Sequence, residues 1–559
     1  MDARAGRWTS LALPGVLALV PFEPRSPTLA LGPFHFTVLE GVALLAMGGL
    51  AWRAAASGSW RRRPALPVLL LALFALVELV SAAVASDDPA ASSKFALRMA
   101  FMAVFAAGAA LTTDEERWRA LAGLAVGGLA ASLLAVAEGA GLRALDPALA
   151  AFREMPFNVA GVRRATAGSE YPNLGAACIA YGLLSAVAWA ARRRWSATPG
   201  VLLAAPFALG LLYTYSRGAL VALAAALMVA AAVLADADRA GALPDRAARA
   251  VVPGAALAAL AAIALVFTAG GEVFQLRLGS EGVDAWYGAR YEPEARALTL
   301  APGAATLTPV KVTNTGRKAW TEEGQFHLSY HWYDVERRVA MDGGRTFLPR
   351  PVAPGQSALL VAEVRAPDRP GAYLLLWDMV QEQTSWFSGQ GVRPAVVRVT
   401  VRAGATAAEA AALPAAAPPR TSGLAWRPGR GELWSLAARM WRAHPLLGVG
   451  PDRFRRLYGP WAGRAWWDDR VYANNTLLEV AATAGSVAAA LLAAAIGTAW
   501  LLAWRARRDV QAVAQAAALG ALLAFAALHG LVDYLLAFTG HYLVLGFTVG
   551  AAAALAPRP

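Results

Sequence analysis

Apolar residues along this 559-residue chain come in blocks of about 20, the length of helix that crosses a hydrocarbon core of about 30 Å, with polar residues gathered between them. Read in windows of about 19 residues, the pattern predicts twelve membrane-spanning helices. They fall near 8–22, 34–52, 65–85, 94–112, 118–138, 173–191, 198–214, 217–235, 251–269, 476–503, 511–529 and 541–556. The first is short and contains Pro14, but no small-residue cleavage site follows before Phe22 and Glu23, so it reads as a membrane helix and not a signal peptide.

The pattern changes between about 291 and 402. There, apolar and polar residues alternate in short runs such as Leu307 to Val312, Phe326 to Tyr333, Ser357 to Val364 and Tyr373 to Met379, separated by Asn-Thr-Gly, Asp-Gly-Gly, Ala-Pro-Gly and Arg-Pro-Gly turns. This predicts an inserted β-sandwich of about seven strands. The expected organisation is therefore an N-terminal membrane part over 1–290, the sandwich over 291–402, an Ala/Pro linker over 403–420, and a loop with the last spans over 421–559. The fold class is an all-α polytopic membrane protein with an inserted extracytoplasmic β-sandwich.

Composition agrees: 57% of residues are hydrophobic and 16% charged, against about 45 to 50% and 25% in soluble domains. Soluble globular, disordered, collagenous and coiled-coil classes are excluded. The formal charge of +13 does not indicate nucleic acid, because most arginines sit in short runs beside apolar blocks, as topology requires. Arg53 with Arg61 to Arg63, Arg117 and Arg119, Arg192 to Arg194, Arg239, Arg246 and Arg249, and Arg505 with Arg507 and Arg508 all fall on one side of a twelve-span count. That side is predicted to be cytoplasmic, which leaves the 139–172 loop, the Tyr215 to Gly218 turn and everything from about 270 to 475 outside. The lone cysteine, Cys178, lies in an apolar block and reads as a core residue.

Three stretches on the predicted outer side place polar groups where an alanine-rich membrane protein normally has none. They are Arg164 to Gly175, containing Glu170-Tyr-Pro-Asn173; Tyr213 to Leu220, containing Ser216-Arg217-Gly218; and Arg430 to Glu479, containing His444-Pro-Leu-Leu-Gly-Val-Gly450 and Tyr472-Ala-Asn474-Asn475. Arg217 interrupts two apolar spans, and an ionisable group at that depth is a functional-site candidate, with snorkelling to lipid headgroups as the bland alternative. Arg164 and Arg430 add positive charge, or else simply face solvent. Asn173, Asn474 and Asn475 are helix N-caps or sugar-binding groups. Glu479, one helical turn past Asn475, is placed to face the outer cavity as a proton acceptor, with Asp468, Asp469 and His529 as competitors. His444 reads as a structural turn residue. No residues have metal-ligand spacing, and no phosphate-binding glycine motif is present. In the sandwich, Trp320, Trp332, Trp377, Tyr330, Tyr333 and Tyr373 read as core, and Trp386 with Phe387 as a candidate exposed pair for stacking on sugar.

These three stretches, in this order and on this side, together with His529-Gly-Leu-Val-Asp533, resemble the O-antigen ligase and polymerase superfamily of bacterial glycan enzymes. The resemblance covers the membrane part from about 160 to 535 and implies transfer of a saccharide from undecaprenyl diphosphate to an acceptor glycan (polymerase) or a lipid A core (ligase) at the outer face of the bacterial inner membrane, without cofactor or metal. Under it, Glu479, Asn474 and His529 are candidate catalytic residues, and Arg217, Arg164, Arg430, Asn173 and Asn475 bind the diphosphate and glycan. The chain departs from the family at Ala473-Asn474-Asn475, where the family has Ala-His-Asn. That leaves the base, and the choice between ligase and polymerase, open. A transporter of lipid-linked glycan, and a non-catalytic scaffold presenting the sandwich, are the alternatives from other classes.

Overall fold

The computed structural model describes residues 12–26, 29–31, 34–58, 65–153, 157–159, 162–192, 197–242, 286–322, 325–335, 339–382, 385–405, 429–463, 467 and 469–556. Within them the protein has a helical part and a separate β-sheet part. Helices lie at eleven of the twelve expected spans: α1 over 12–19, α2 (Val38–Ser57), α3 (Leu66–Val84), α4 (Pro89–Ala110), α5 (Asp114–Gly139), α7 (Pro172–Arg192), α8 (Ala197–Tyr213), α9 (Arg217–Arg239), α12 (Thr476–Ala506), α13 (Val513–His529) and α14 (Thr539–Ala553). The short helices α6 (Asp146–Leu149), α10 (Arg430–Ala443) and α11 (Phe454–Trp461) lie in the connections. The expected span at 251–269 and most of the 403–420 linker lie outside the described residues. Among the described residues seven helices are long and apolar enough to cross a membrane, namely α2, α3, α4, α5, α7, α9 and α12, which makes this a multi-pass membrane protein.

Local chemistry sets where these helices begin. Thr37 with Glu40, and Thr113 with Glu116, form reciprocal capping boxes at the starts of α2 and α5. At one end of the bundle the helix termini are tied by arginines. Arg53 pairs with Glu116, Arg117 Nε donates to Gln515 Oε1 at 2.9 Å, Arg192 reaches Glu115 at 3.0 Å, and Arg507 Nε donates to Asp236 Oδ2 at 2.5 Å. These residues all belong to the stretches expected on the cytoplasmic side.

Among the described residues the β-sheet part holds ten strands in two sheets around one core, against the seven or so expected. Strands β1 to β4 are two short hairpins in the helical part, Leu29–Leu31 with Phe34–Phe36 and Phe157–Val159 with Val162–Arg164. The larger sheet runs β10 (Thr346–Phe347), β8 (Phe326–Asp334), β12 (Gly371–Gln381), β14 (Ala395–Val401), β6 (Ala297–Leu300), with β9 (Val339–Asp342) on β8 and β13 (Ser385–Trp386) on β12. The smaller sheet is β11 (Ser357–Arg365), β7 (Ala305–Asn314), β5 (Ala289–Pro293). Trp320, Trp377 and Phe326 fill the space between them. The expectation of an exposed Trp386-Phe387 pair is corrected. Phe387, where the chain leaves β13 for a single helical turn, is fully buried against Tyr287, Trp320 and Phe326, while Trp386 is covered by His331 at 4.2 Å and the Arg345 guanidinium at 4.7 Å.

His331 gives this part a pH dependence. Its Nδ1 lies 2.9 Å from Asp342 Oδ1 and its Nε2 3.5 Å from Asp378 Oδ2. Burial pulls its pKa down, but Asp378 and then Asp342 outweigh burial and hold it above the ordinary value of 6.5. A histidine raised on folding contributes stability that is fully present below its unfolded value and lost as pH rises through the folded one. Thermal unfolding of the sandwich, followed by tryptophan fluorescence, is therefore expected at a lower temperature at about pH 8 than at about pH 6. His331→Asn should flatten that difference, and an unchanged profile in the variant would refute the assignment.

Candidate functional site

At the end of the bundle opposite the arginine-tied termini, segments far apart in sequence meet. Hairpin β3–β4 ends at Arg164, whose Nε donates to the Thr214 carbonyl and whose Nη2 donates to Asn173 Oδ1, both at 3.0 Å. Ala165 N donates to Tyr213 O at 2.8 Å, fastening this stretch to the turn between α8 and α9. Asn173, in the first turn of α7, donates from Nδ2 to Asp533 Oδ2 at 2.9 Å. The 530–533 turn is joined in its turn to the start of α12, through Thr476 N to Gly530 O at 2.6 Å and Asn475 Nδ2 to Leu531 O at 3.0 Å.

Between these segments lies an open cleft of about 240 Å³, whose polar lining is Asn173, Ser216, Arg217, Arg430, His529 and Asp533. Gly218 and Val532 complete the wall, and a β-carbon on Gly218 would sit 2.6 Å from Val532 Cγ2, so glycine permits α9 to start this close to the end of α13. His529 is 1% exposed and stacked on Phe525 at 5.3 Å, and among the described residues neither its Nδ1 nor Arg430 Nε has a hydrogen-bond partner. Cationic forks, a buried imidazole and one carboxylate thus share a small volume, an arrangement suited to holding an anion beside a proton acceptor.

The structure brings together Arg217, Arg430, Asn173 and His529 in the cleft, with Arg164 one hydrogen bond behind Asn173. Three expected residues fall elsewhere. Glu479 does not face an outer cavity: it is 1% exposed, on the side of α12 packed against α3, and its Oε2 accepts from Ala473 N at 2.6 Å. Glu479 does lie one helical turn past Asn475, but its carboxyl points into the bundle. Asn475 is the N-cap of α12, its Oδ1 accepting from Leu478 N at 3.0 Å. Asn474 has φ 52°, and its carbonyl accepts from Trp434 Nε1 at 3.4 Å, which makes it a turn residue. Of the competing bases, Asp469 pairs with Arg456, and Asp468 lies outside the described residues. His444 caps the end of α10 and accepts at its carbonyl from Gly448 N at 2.9 Å.

One supporting network was not expected. Glu138, at the end of α5, accepts from Arg153 Nη1 at 2.5 Å, Thr166 N at 3.2 Å and Ala167 N at 3.0 Å, with both charged residues at 3% exposure or less. It holds the turn that follows Arg164, including Ala167 at φ 56°. Arg153 also reaches Asp146, whose carboxyl Arg163 holds below the ordinary aspartate range. An acid inside an apolar block was the available signal. Compared with protein-family models and with curated proteins, the chain matches none.

Proposed function

We propose that this chain is a glycan transferase of the inner membrane that moves a saccharide from an undecaprenyl-diphosphate carrier to an acceptor glycan or a lipid A core. The observation that carries the reading is the meeting of Arg217, Arg430, His529 and Asp533 in one cleft, backed by Arg164 through Asn173. Paired guanidinium N–H bonds grip the diphosphate and stabilise it as it leaves. An acceptor hydroxyl oxygen bonds to the anomeric carbon, the bond from that carbon to the phosphate oxygen breaks with its electron pair going to the diphosphate, and the hydroxyl proton goes to His529. His529 takes the role expected of Glu479 because its imidazole lines the cleft, whereas the Glu479 carboxyl is turned into the bundle.

The decisive experiment is reconstitution with an undecaprenyl-diphosphate oligosaccharide. Release of undecaprenyl diphosphate together with glycan on a second lipid-linked chain supports a polymerase, and glycan on a lipid A core supports a ligase. Carrier that crosses the bilayer intact would replace the reading with transport.

The same proposal includes twelve spans, cytoplasmic termini and an external sandwich. Its support is that the arginine-tied helix ends and the cleft lie at opposite ends of the bundle. Reporter fusions after Arg508 are expected to report cytoplasm and fusions at Gly343 the exterior. The reverse result would put the cleft on the cytoplasmic side, away from any exported acceptor.

A further inference from the structure

Behind the cleft, α3 and α12 enclose a second polar centre that the transfer chemistry does not use. Glu78 and Glu479 are each 1% exposed, and among the described residues neither Glu78 Oε2 nor Glu479 Oε1 has a hydrogen-bond partner. Ser81, one turn past Glu78, meets Thr483, one turn past Glu479, across the α3–α12 seam, so the two carboxyls lie on the facing sides of these helices. The centre sits beside a break in α12. Gly485 has φ 86°, and a β-carbon there would lie 2.0 Å from Leu446 O, so the helix opens to admit the 444–450 loop. Val449 N and Gly450 N donate to the Ala482 and Thr483 carbonyls, and Ser81 Oγ, one turn beyond Glu78, contacts Thr483 O at 3.0 Å and Leu447 O at 2.5 Å. Broken helices with buried acids are where membrane proteins place ion and proton sites.

Other buried glutamates are surrounded by cations and donors. Glu138 has Arg153 and backbone amides, while Glu40 accepts from Thr37 N at 2.8 Å and Tyr542 OH at 2.6 Å, with Arg98 at 3.5 Å. Among the described residues Glu78 and Glu479 have no such partner cation. Arg455, the cation acting on Glu479, is bound through two nitrogens to Asp452, at 2.7 and 2.6 Å. Two unpaired negative charges buried between helices are far costlier than one shared or protonated carboxyl.

We propose that Glu78 and Glu479 form a membrane-embedded proton-binding site at the break in α12, holding at least one proton in the folded protein. The ligand is a proton, because each carboxyl carries a buried oxygen with no hydrogen-bond partner among the described residues, which protonation of the group would neutralise.

The test uses the full chain in detergent micelles and dicyclohexylcarbodiimide, which adds only to a protonated carboxyl and is retained whole as an N-acylurea. Peptide mass spectrometry is expected to find the adduct at Glu78 or Glu479, to find none at Glu138 or Glu40, and to give the same yield in sodium and choline chloride. Glu78→Gln, which mimics the protonated acid, should keep the wild-type Tm, while Glu138→Gln loses several degrees. The proposal is overturned by absence of adduct at both Glu78 and Glu479, by protection in sodium chloride, or by a Glu78→Gln variant as destabilised as Glu138→Gln.

Discussion

Arg217→Lys is expected to reduce turnover by roughly 10- to 150-fold, the equivalent of losing about 1.5 to 3 kcal/mol from one charged hydrogen-bonding contact in the transition state. Lysine keeps the charge but not the planar fork, so it meets diphosphate oxygens singly where arginine meets them in pairs. Arg217→Ala should fall further. Neither change should alter expression or Tm much, because Arg217 is the first residue of α9, lies half-buried in the cleft wall and fills no core position. A headgroup-snorkelling arginine would behave otherwise, since lysine reaches phospholipid phosphates as readily. Product formed from a lipid-diphosphate oligosaccharide, measured at matched protein and saturating donor, separates the two. Near-normal activity in the lysine variant would remove Arg217 from the diphosphate clamp.

The helices were the most legible part of the sequence, because a span of about 20 apolar residues is specified by length alone. The strand runs around Leu307, Phe326, Ser357 and Tyr373 were legible for the same kind of reason, since period-two alternation survives in a half-buried sheet. Site membership was partly legible. Arg217, Asn173 and His529 stood out as polar groups at the ends of apolar blocks, and those ends do converge. What sequence alone does not carry is rotation about a helix axis. Glu479 and Asn475 lie within one turn of each other, yet one enters the α3–α12 packing and the other caps the helix. The direction of Glu479 depends on Ala473 N and on the loop admitted at Gly485, both settled by contacts with distant segments. Glu78, Glu138 and Arg153 were passed over because hydropathy averages a single ionisable residue into its apolar neighbours.

Of changes that affect stability, Glu138→Gln is expected to be among the most severe, at about 3 kcal/mol, because it leaves the buried Arg153 with only the more exposed Asp146 as counter-charge. The amide also turns one of two acceptor oxygens into a donor facing Arg153 Nη1 or the amides of Thr166 and Ala167, all of which are donors themselves. The damage should reach the cleft. The Thr166–Ala167 turn follows Arg164 directly, Ala167 occupies a left-handed conformation that a non-glycine residue keeps only when held, and Arg164 positions Asn173. Removing both charges, as Glu138→Gln with Arg153→Gln, should cost less than the two single losses added together, because neither ion is then stranded. Thermal unfolding of both single variants and the double variant gives the coupling directly. Strictly additive losses, or a Glu138→Gln protein as stable as wild type, would show that the 164–173 segment is held by its hairpin and by Tyr213, not by the buried pair.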